Sequence, residues 1–201
     1  MTVDSPGFTS ELDAVNAMLA AIGEAPVSTL EESGTTDVSL ARDVLTETSR
    51  EVQSRGWHFN EEDHYPLDVN TEGEIRLPDH ALRIDLDERL YPKWDIIQRG
   101  KRLYSKSRHS YRFTESLRAT ICFCLPWDEL PEAARYYIAV RAARIFADRT
   151  MGEPNMRRAL QEDELRALIS LKQYDEENAD RNMLSHSSVS RVMGTARRFI
   201  V

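Results

Sequence analysis

Leu12, Val15, Leu19 and Ile22 recur every three to four residues behind Ser10, whose spacing to Asp13 matches the S-x-x-D capping pattern; Gly23 and Pro26 stop the run. This pattern predicts a first helix. After the turn-rich EESGTTD, a second stripe passes through Val38, Ala41, Leu45 and Val52, with Thr36 or Asp37 as its cap and Gly56 at its end. From Trp57 to Leu125 the period shortens to two: Leu67 and Val69, Ile75 and Leu77, then Leu82, Ile84 and Leu86 predict strands. NTEG separates the first two runs and QRGK lies between Ile97 and Leu103, so at least two hairpins are expected. ATICFCL, residues 119–125, reads as a closing interior strand.

Helical spacing returns in LPEAARYYIAVRAARIFADRTMG, where Pro131 suits a first turn and Ala134, Ile138, Ala142, Ile145 and Phe146 form a stripe that Gly152 and Pro154 end. A fourth helix, over roughly residues 156–178, carries Leu160, Leu165, Leu168, Ile169 and Leu171 beside a charged face. From Ser185 the tail SHSSVSRVMGTARRFIV has no acidic residue and ends in Phe199, Ile200 and Val201, the pattern of an arm. The fold expected is α+β, mainly α. A helical core of about four helices comes from residues 1–56 and 126–184, an antiparallel β-rich insertion from 57–125, and an extended arm from 185–201.

Composition narrows the function classes. A chain of 201 residues, 41% apolar and 30% charged, is long and apolar enough to fold on its own core. No run approaches the ~18 apolar residues of a membrane span, so no membrane partner is expected. MTVDSPGFTS lacks the basic flank and apolar stretch of a signal peptide, which predicts cytosolic synthesis. The net charge of −8 argues against a general nucleic-acid binder, yet it suits a surface past which DNA slides without sticking. Cys122 and Cys124, two apart on a predicted strand, share a face as neighbours along one chain and are expected to stay reduced.

Candidate chemistry concentrates in WHFNEEDHYPL, residues 57–67, where two histidines surround three carboxylates. His58 and His64 are six apart, which on a strand separates them by roughly 20 Å and on a helix turns them well away from each other. With no H-E-x-x-H, no paired C-x-x-C and no third histidine nearby, the stretch is read as a strand entering and leaving a charged turn, with Trp57 and Phe59 on the core. No G-x-S-x-G elbow, Walker loop or G-x-G-x-x-G is present, and Ser185, His186 and Ser187 have no third group fixed beside them. No cofactor, metal or catalytic residue is expected. The basic stretch QRGKRLYSKSRHSYRF, residues 98–113, interleaves Arg99, Lys101, Arg102, Lys106, Arg108 and Arg112 with Tyr104, Tyr111 and Phe113. Three readings of it stand together: a solvated hairpin, a protein interface favouring Arg and Tyr anchors, or a single-stranded nucleic-acid site.

Four stretches in order, ELDAVNAMLAAIGEAPVSTL (residues 11–30), SREVQSRGWHFN (49–60), IRLPDHALRID (75–85) and LPEAARYYIAVRAARIFADR (130–149), resemble the tail tubular protein A family of T7-like short-tailed bacteriophages. The likeness runs from residue 11 to about residue 184, and its R-G-W-x-F-N segment marks the passage from the second helix into the β region. The resemblance implies a non-enzymatic virion protein: a head-to-tail adaptor forming a ring of about twelve copies, made and assembled in the bacterial host cytoplasm. Its partners would be the capsid portal and the tail nozzle (tail tubular protein B), with genomic DNA passing through the channel. On this reading Arg191, Arg197, Arg198, Phe199, Ile200 and Val201 of the arm are expected at the portal, and Arg99, Lys101, Arg102 and Tyr104 at the nozzle. The rival expectation is a nucleic-acid-binding module using residues 98–113.

Overall fold

The computed structural model describes residues 9–31, 36–87, 89–152 and 154–185. The chain divides into two compact units, residues 1–48 with 130–201, and residues 49–129. Among the described residues it is an α+β chain, mainly α, with four helices and a small antiparallel β region. None of these helices is long and apolar enough to cross a membrane.

The helical unit contains α1 (Glu11–Ala21), most of α2 (Thr36–Gln53), α3 (Glu132–Thr150) and α4 (Pro154–Ser185). α1 starts as expected: the Ser10 hydroxyl accepts from the Asp13 amide at 3.0 Å, and the Asp13 carboxylate accepts from the Ser10 amide at 3.0 Å. Asn16 then fastens the chain beyond α1 by a two-way bond with the Val27 main chain, at 2.8 and 3.1 Å. α2 differs from expectation at its start. Thr36 and Asp37 lie inside the helix, in its first turn, and neither precedes it as a cap.

α3 is the central helix of this unit, contacted by both α1 and α4. Five buried alanines, Ala134, Ala139, Ala142, Ala143 and Ala147, let neighbours approach its backbone, while Tyr137, Ile138 and Phe146 fill the space between them. α4 meets it through Ala167 and Leu171 and through a half-buried ion network, in which Arg141 and Arg144 both donate to Glu164 and Arg144 also reaches Asp148 at 3.0 Å. α4 continues well past the predicted end near Asn178. Residues 179–185, ADRNMLS, contain no Gly or Pro, so nothing local stops the helix, and no apolar periodicity is needed for it to continue.

The β-rich unit contains β1 (Glu61–Leu67), β2 (Ala81–Leu86), β3 (Ile96–Arg99), β4 (Arg102–Ser105) and β5 (Leu117–Phe123). β5 lies between β1 and β2 in an antiparallel sheet of order β1-β5-β2, and β3 pairs with β4. Leu67, Leu86, Leu103, Leu117 and Ile121 from these strands close over one core with Ile75, Trp94 and Phe113. β5 is the interior strand expected near residues 119–125, displaced by two residues, so that Cys124 falls just beyond it and only Cys122 sits in the ladder. Burial pushes the Cys122 thiol upward, and both cysteines are free. NTEG makes a turn closed by the Asn70 side chain, which accepts from the amides of Glu72 and Glu74 at 2.9 Å; the predicted hairpin there amounts to a single bridge, Val69 to Ile75.

The charged turn expected within WHFNEEDHYPL is absent: Glu61, Glu62 and Asp63 are in β1, paired with β5. Asp63 and His64 together oppose Thr120, a β-bulge that gives His64 a φ of 57°. The turn comes earlier. Gly56 adopts φ +79°, the Trp57 indole N–H donates to the Val52 carbonyl at 2.8 Å, and the buried Asn60 side chain joins three segments. Its Oδ1 accepts from the Trp57 amide at 2.9 Å, while its Nδ2 donates to the carbonyls of Gln53 at 2.9 Å and Phe123 at 2.7 Å. The R-G-W-x-F-N motif is thus a helix stop followed by a polar knot that, within the β-rich unit, ties Gln53 to β5.

Candidate interaction face on the β3–β4 hairpin

QRGK folds as expected. Arg99 pairs with Arg102, and Gly100, at φ +62°, supplies the left-handed conformation that a two-residue hairpin loop demands. Because cross-strand partners share a face and alternate along each strand, Ile97, Arg99, Arg102 and Tyr104 point one way and Leu103 the other, into the core. Three of the four predicted nozzle-facing residues, Arg99, Arg102 and Tyr104, therefore lie together on the outer face, and Lys101 sits in the loop.

Two arginines directly opposite one another repel, and the aromatic side chains relieve this. The Arg99 guanidinium lies 3.7 Å from the Tyr104 ring centre, and that of Arg102 lies 4.3 Å from the ring of Tyr111. The two tyrosines meet edge to face at 4.9 Å, so cation, ring, ring and cation form one ladder. Each such stack contributes about 0.5–1 kcal/mol at an exposed site. Arg102 also bonds Glu74 at 2.8 Å, Lys101 bonds Asp79 at 2.7 Å, and Lys106 meets Asp95 at 3.2 Å. The Lys101 ammonium holds the Asp79 carboxyl below its ordinary range, first by hydrogen bonding and then by its charge. Arg99 meets no carboxylate among the described residues, and Ile97 is 45% exposed beside it.

Tyr111 and Glu74 were not singled out from the sequence as parts of this face; Tyr111 was visible only as an aromatic among cations, and Glu74 lies 28 residues from Arg102. The arm residues Arg191, Arg197, Arg198, Phe199, Ile200 and Val201 lie outside the described residues. His58 is exposed in the turn before β1 and His64 sits at the bulge, and no group of three or more His, Cys, Asp or Glu side chains is arranged to hold a metal ion among the described residues.

Comparison with known proteins bears on the chain as a whole. The family described as tail tubular protein matches residues 12–181. Tail tubular protein A of Klebsiella phage KP34 is 27% identical over 165 residues, covering 82% of this chain and 86% of that relative. The match begins in α1, passes through both β sheets and ends in α4, so it includes the polar knot at Asn60 and the hairpin face alike. The chain belongs to the tail tubular protein family, and it is a structural component of a phage tail.

Proposed function

We propose that this tail protein is a ring-forming adaptor of about twelve copies that joins the capsid portal to the tail nozzle around the DNA channel, and that it catalyses no reaction. The observation that carries the reading is the family match across residues 12–181. The net charge of −8 supports it, since a lumen rich in fixed positive charge would grip phosphate. So do Leu165 and Ile169, 58% and 47% exposed one turn apart on α4, away from the residues that meet α3 and free to pack on a neighbouring copy. In this reading the outer hairpin face (Arg99, Arg102 and Tyr104, with Lys101 in the loop) meets the nozzle, and the arm at 185–201 docks on the portal. Burying Phe199, Ile200 and Val201 yields roughly 5 kcal/mol before ordering costs of similar size, so each arm binds weakly and a ring of arms binds firmly.

The test is to mix the protein with the portal and nozzle proteins of the same genome and image the products. Rings seated between the two support the adaptor; a protein that stays monomeric with both partners present sinks it. Deleting 185–201 should leave rings that no longer hold the portal, and charge reversal at Arg99, Lys101 and Arg102 should weaken nozzle binding alone. The nucleic-acid reading of the hairpin is not favoured, because Lys101, Arg102 and Lys106 are each already committed to a carboxylate. Tight DNA binding with a steep salt dependence would revive it.

A further inference from the structure

A groove of about 500 Å³ opens in the β-rich unit between β2 and the residues leading into β3. Its apolar lining comes from Ile84, Leu86, Tyr91, Trp94 and Ile96. One wall is a strand edge, since among the described residues β2 pairs only with β5; the other is formed by residues 91–95 and by Ile96 at the start of β3. Along Ile84–Leu86 every second main-chain N–H and C=O therefore faces the groove without a ladder partner. The walls meet at one end, where the Gln98 side chain reaches the Ala81 carbonyl at 3.4 Å, and the groove lies beyond that closure. Residues on both sides of it belong to one core cluster, so a strand laid along it would extend a sheet over an existing core.

A second depression of about 320 Å³ continues from the first, sharing Asp95 and Ser107, and brings in Arg99, Tyr104, Lys106 and His109. Lys106 is paired with Asp95, whereas Arg99 lies flat on Tyr104 and meets no carboxylate among the described residues. We propose that the two depressions form one docking site for an extended segment of a partner protein, apolar at alternate positions beside Ile84–Leu86 and acidic where it reaches Arg99. The segment adds a strand to the open edge of β2: main-chain bonds supply affinity, and the apolar lining and Arg99 supply selectivity. Asp85, Lys93 and Asp95 along the rim discourage indiscriminate edge pairing. The site stands independently of the adaptor reading, since any protein presenting this chemistry fits.

The test uses the full-length protein and short fluorescent peptides alternating valine and threonine, with glutamates at either end, lysines in their place, or N-methyl groups on alternate amides. The glutamate peptide should bind and slow amide exchange at Ile84–Leu86. N-methylation along the pairing edge should weaken it about tenfold, the loss expected from one or two main-chain hydrogen bonds. Arg99→Glu, a change at an exposed side chain, should reverse the preference toward the lysine peptide. Equal affinity after N-methylation, unchanged exchange at Ile84–Leu86, or indifference to peptide charge overturns the proposal. Protection of those amides that rises with protein concentration alone assigns the edge to a second copy and overturns it as well.

Discussion

Asn60→Ala removes the knot between Gln53 and β5, and its cost follows from the bonds it breaks. The side chain is 3% exposed, so water does not replace them. The Gln53 carbonyl keeps a donor, the Cys122 thiol at 3.2 Å, but the Trp57 amide loses a buried bond and the Phe123 carbonyl a short, part-buried one. At about 1–3 kcal/mol for each buried polar group so deprived, plus the cavity left behind, the loss is roughly 3–5 kcal/mol. That is a large share of the ~5–15 kcal/mol by which a domain is held folded. Urea unfolding followed by tryptophan fluorescence reports on it directly, because Trp57 is buried beside the knot; far-UV circular dichroism, dominated by the helices, separates the two units if they unfold apart. Asn60→Asp sharpens the test: the carboxylate still accepts from Trp57 but faces the carbonyls of Gln53 and Phe123. Burial and those oxygens raise its pKa in the folded state, so the variant should be least destabilised in acid and lose stability as pH rises through the ordinary carboxylate range. A loss below about 1 kcal/mol for Asn60→Ala, or a pH trend of the opposite sign, would refute this account of the motif.

Gly56→Ala should cost about 1–3 kcal/mol in the same assay, since a side chain at φ +79° is strained and its Cβ would displace the paired Glu61 and Arg83 side chains. Glu164→Gln should cost roughly 2–4 kcal/mol with little salt dependence, because it leaves Arg141 and Arg144 in a half-buried place without their shared carboxylate; a steep salt response would mark the network as superficial. Ser10→Ala should cost about 1 kcal/mol at neutral pH. The Ser10 hydroxyl, and after it the Ser10 amide, hold the Asp13 carboxyl below its ordinary range, so this contribution exists above that range and fades as pH falls through the lowered value; a difference that persists undiminished in strong acid contradicts it. Leu165→Asp combined with Ile169→Asp should leave the melting temperature within a few degrees of the parent while abolishing rings seen by light scattering; intact rings would remove α4 from the proposed subunit contact.

What could be seen in the chain alone was whatever depends on near neighbours. Ser10 and Asp13 announce α1 because a capping box closes within one turn, and the alanine-rich stripe of α3 announces a buried helix because its period repeats every turn. QRGK announces a hairpin because a two-residue loop needs Gly100, and with the loop known, alternation alone places Arg99, Arg102 and Tyr104 on one face. α4 showed only the part that packs: its apolar period ends at Leu171, while the helix needs no such period to run on to Ser185.

Contacts between distant segments were decided by tertiary structure. Asp63 and His64 form a bulge, not a turn, because β5, more than fifty residues later, pairs with both sides of them. Asn60 looks like any turn asparagine until Gln53 and Phe123 are brought to its side chain. The basic stretch left a solvated hairpin, an interface and a nucleic-acid site all open, because like charges along a chain say nothing of the carboxylates that folding sets against them. Glu74, Asp79 and Asp95 neutralise Arg102, Lys101 and Lys106, leaving Arg99 on its tyrosine. The groove beside β2 is likewise a product of topology: a strand's sequence carries its period, but only the order in which strands assemble determines which edge remains open.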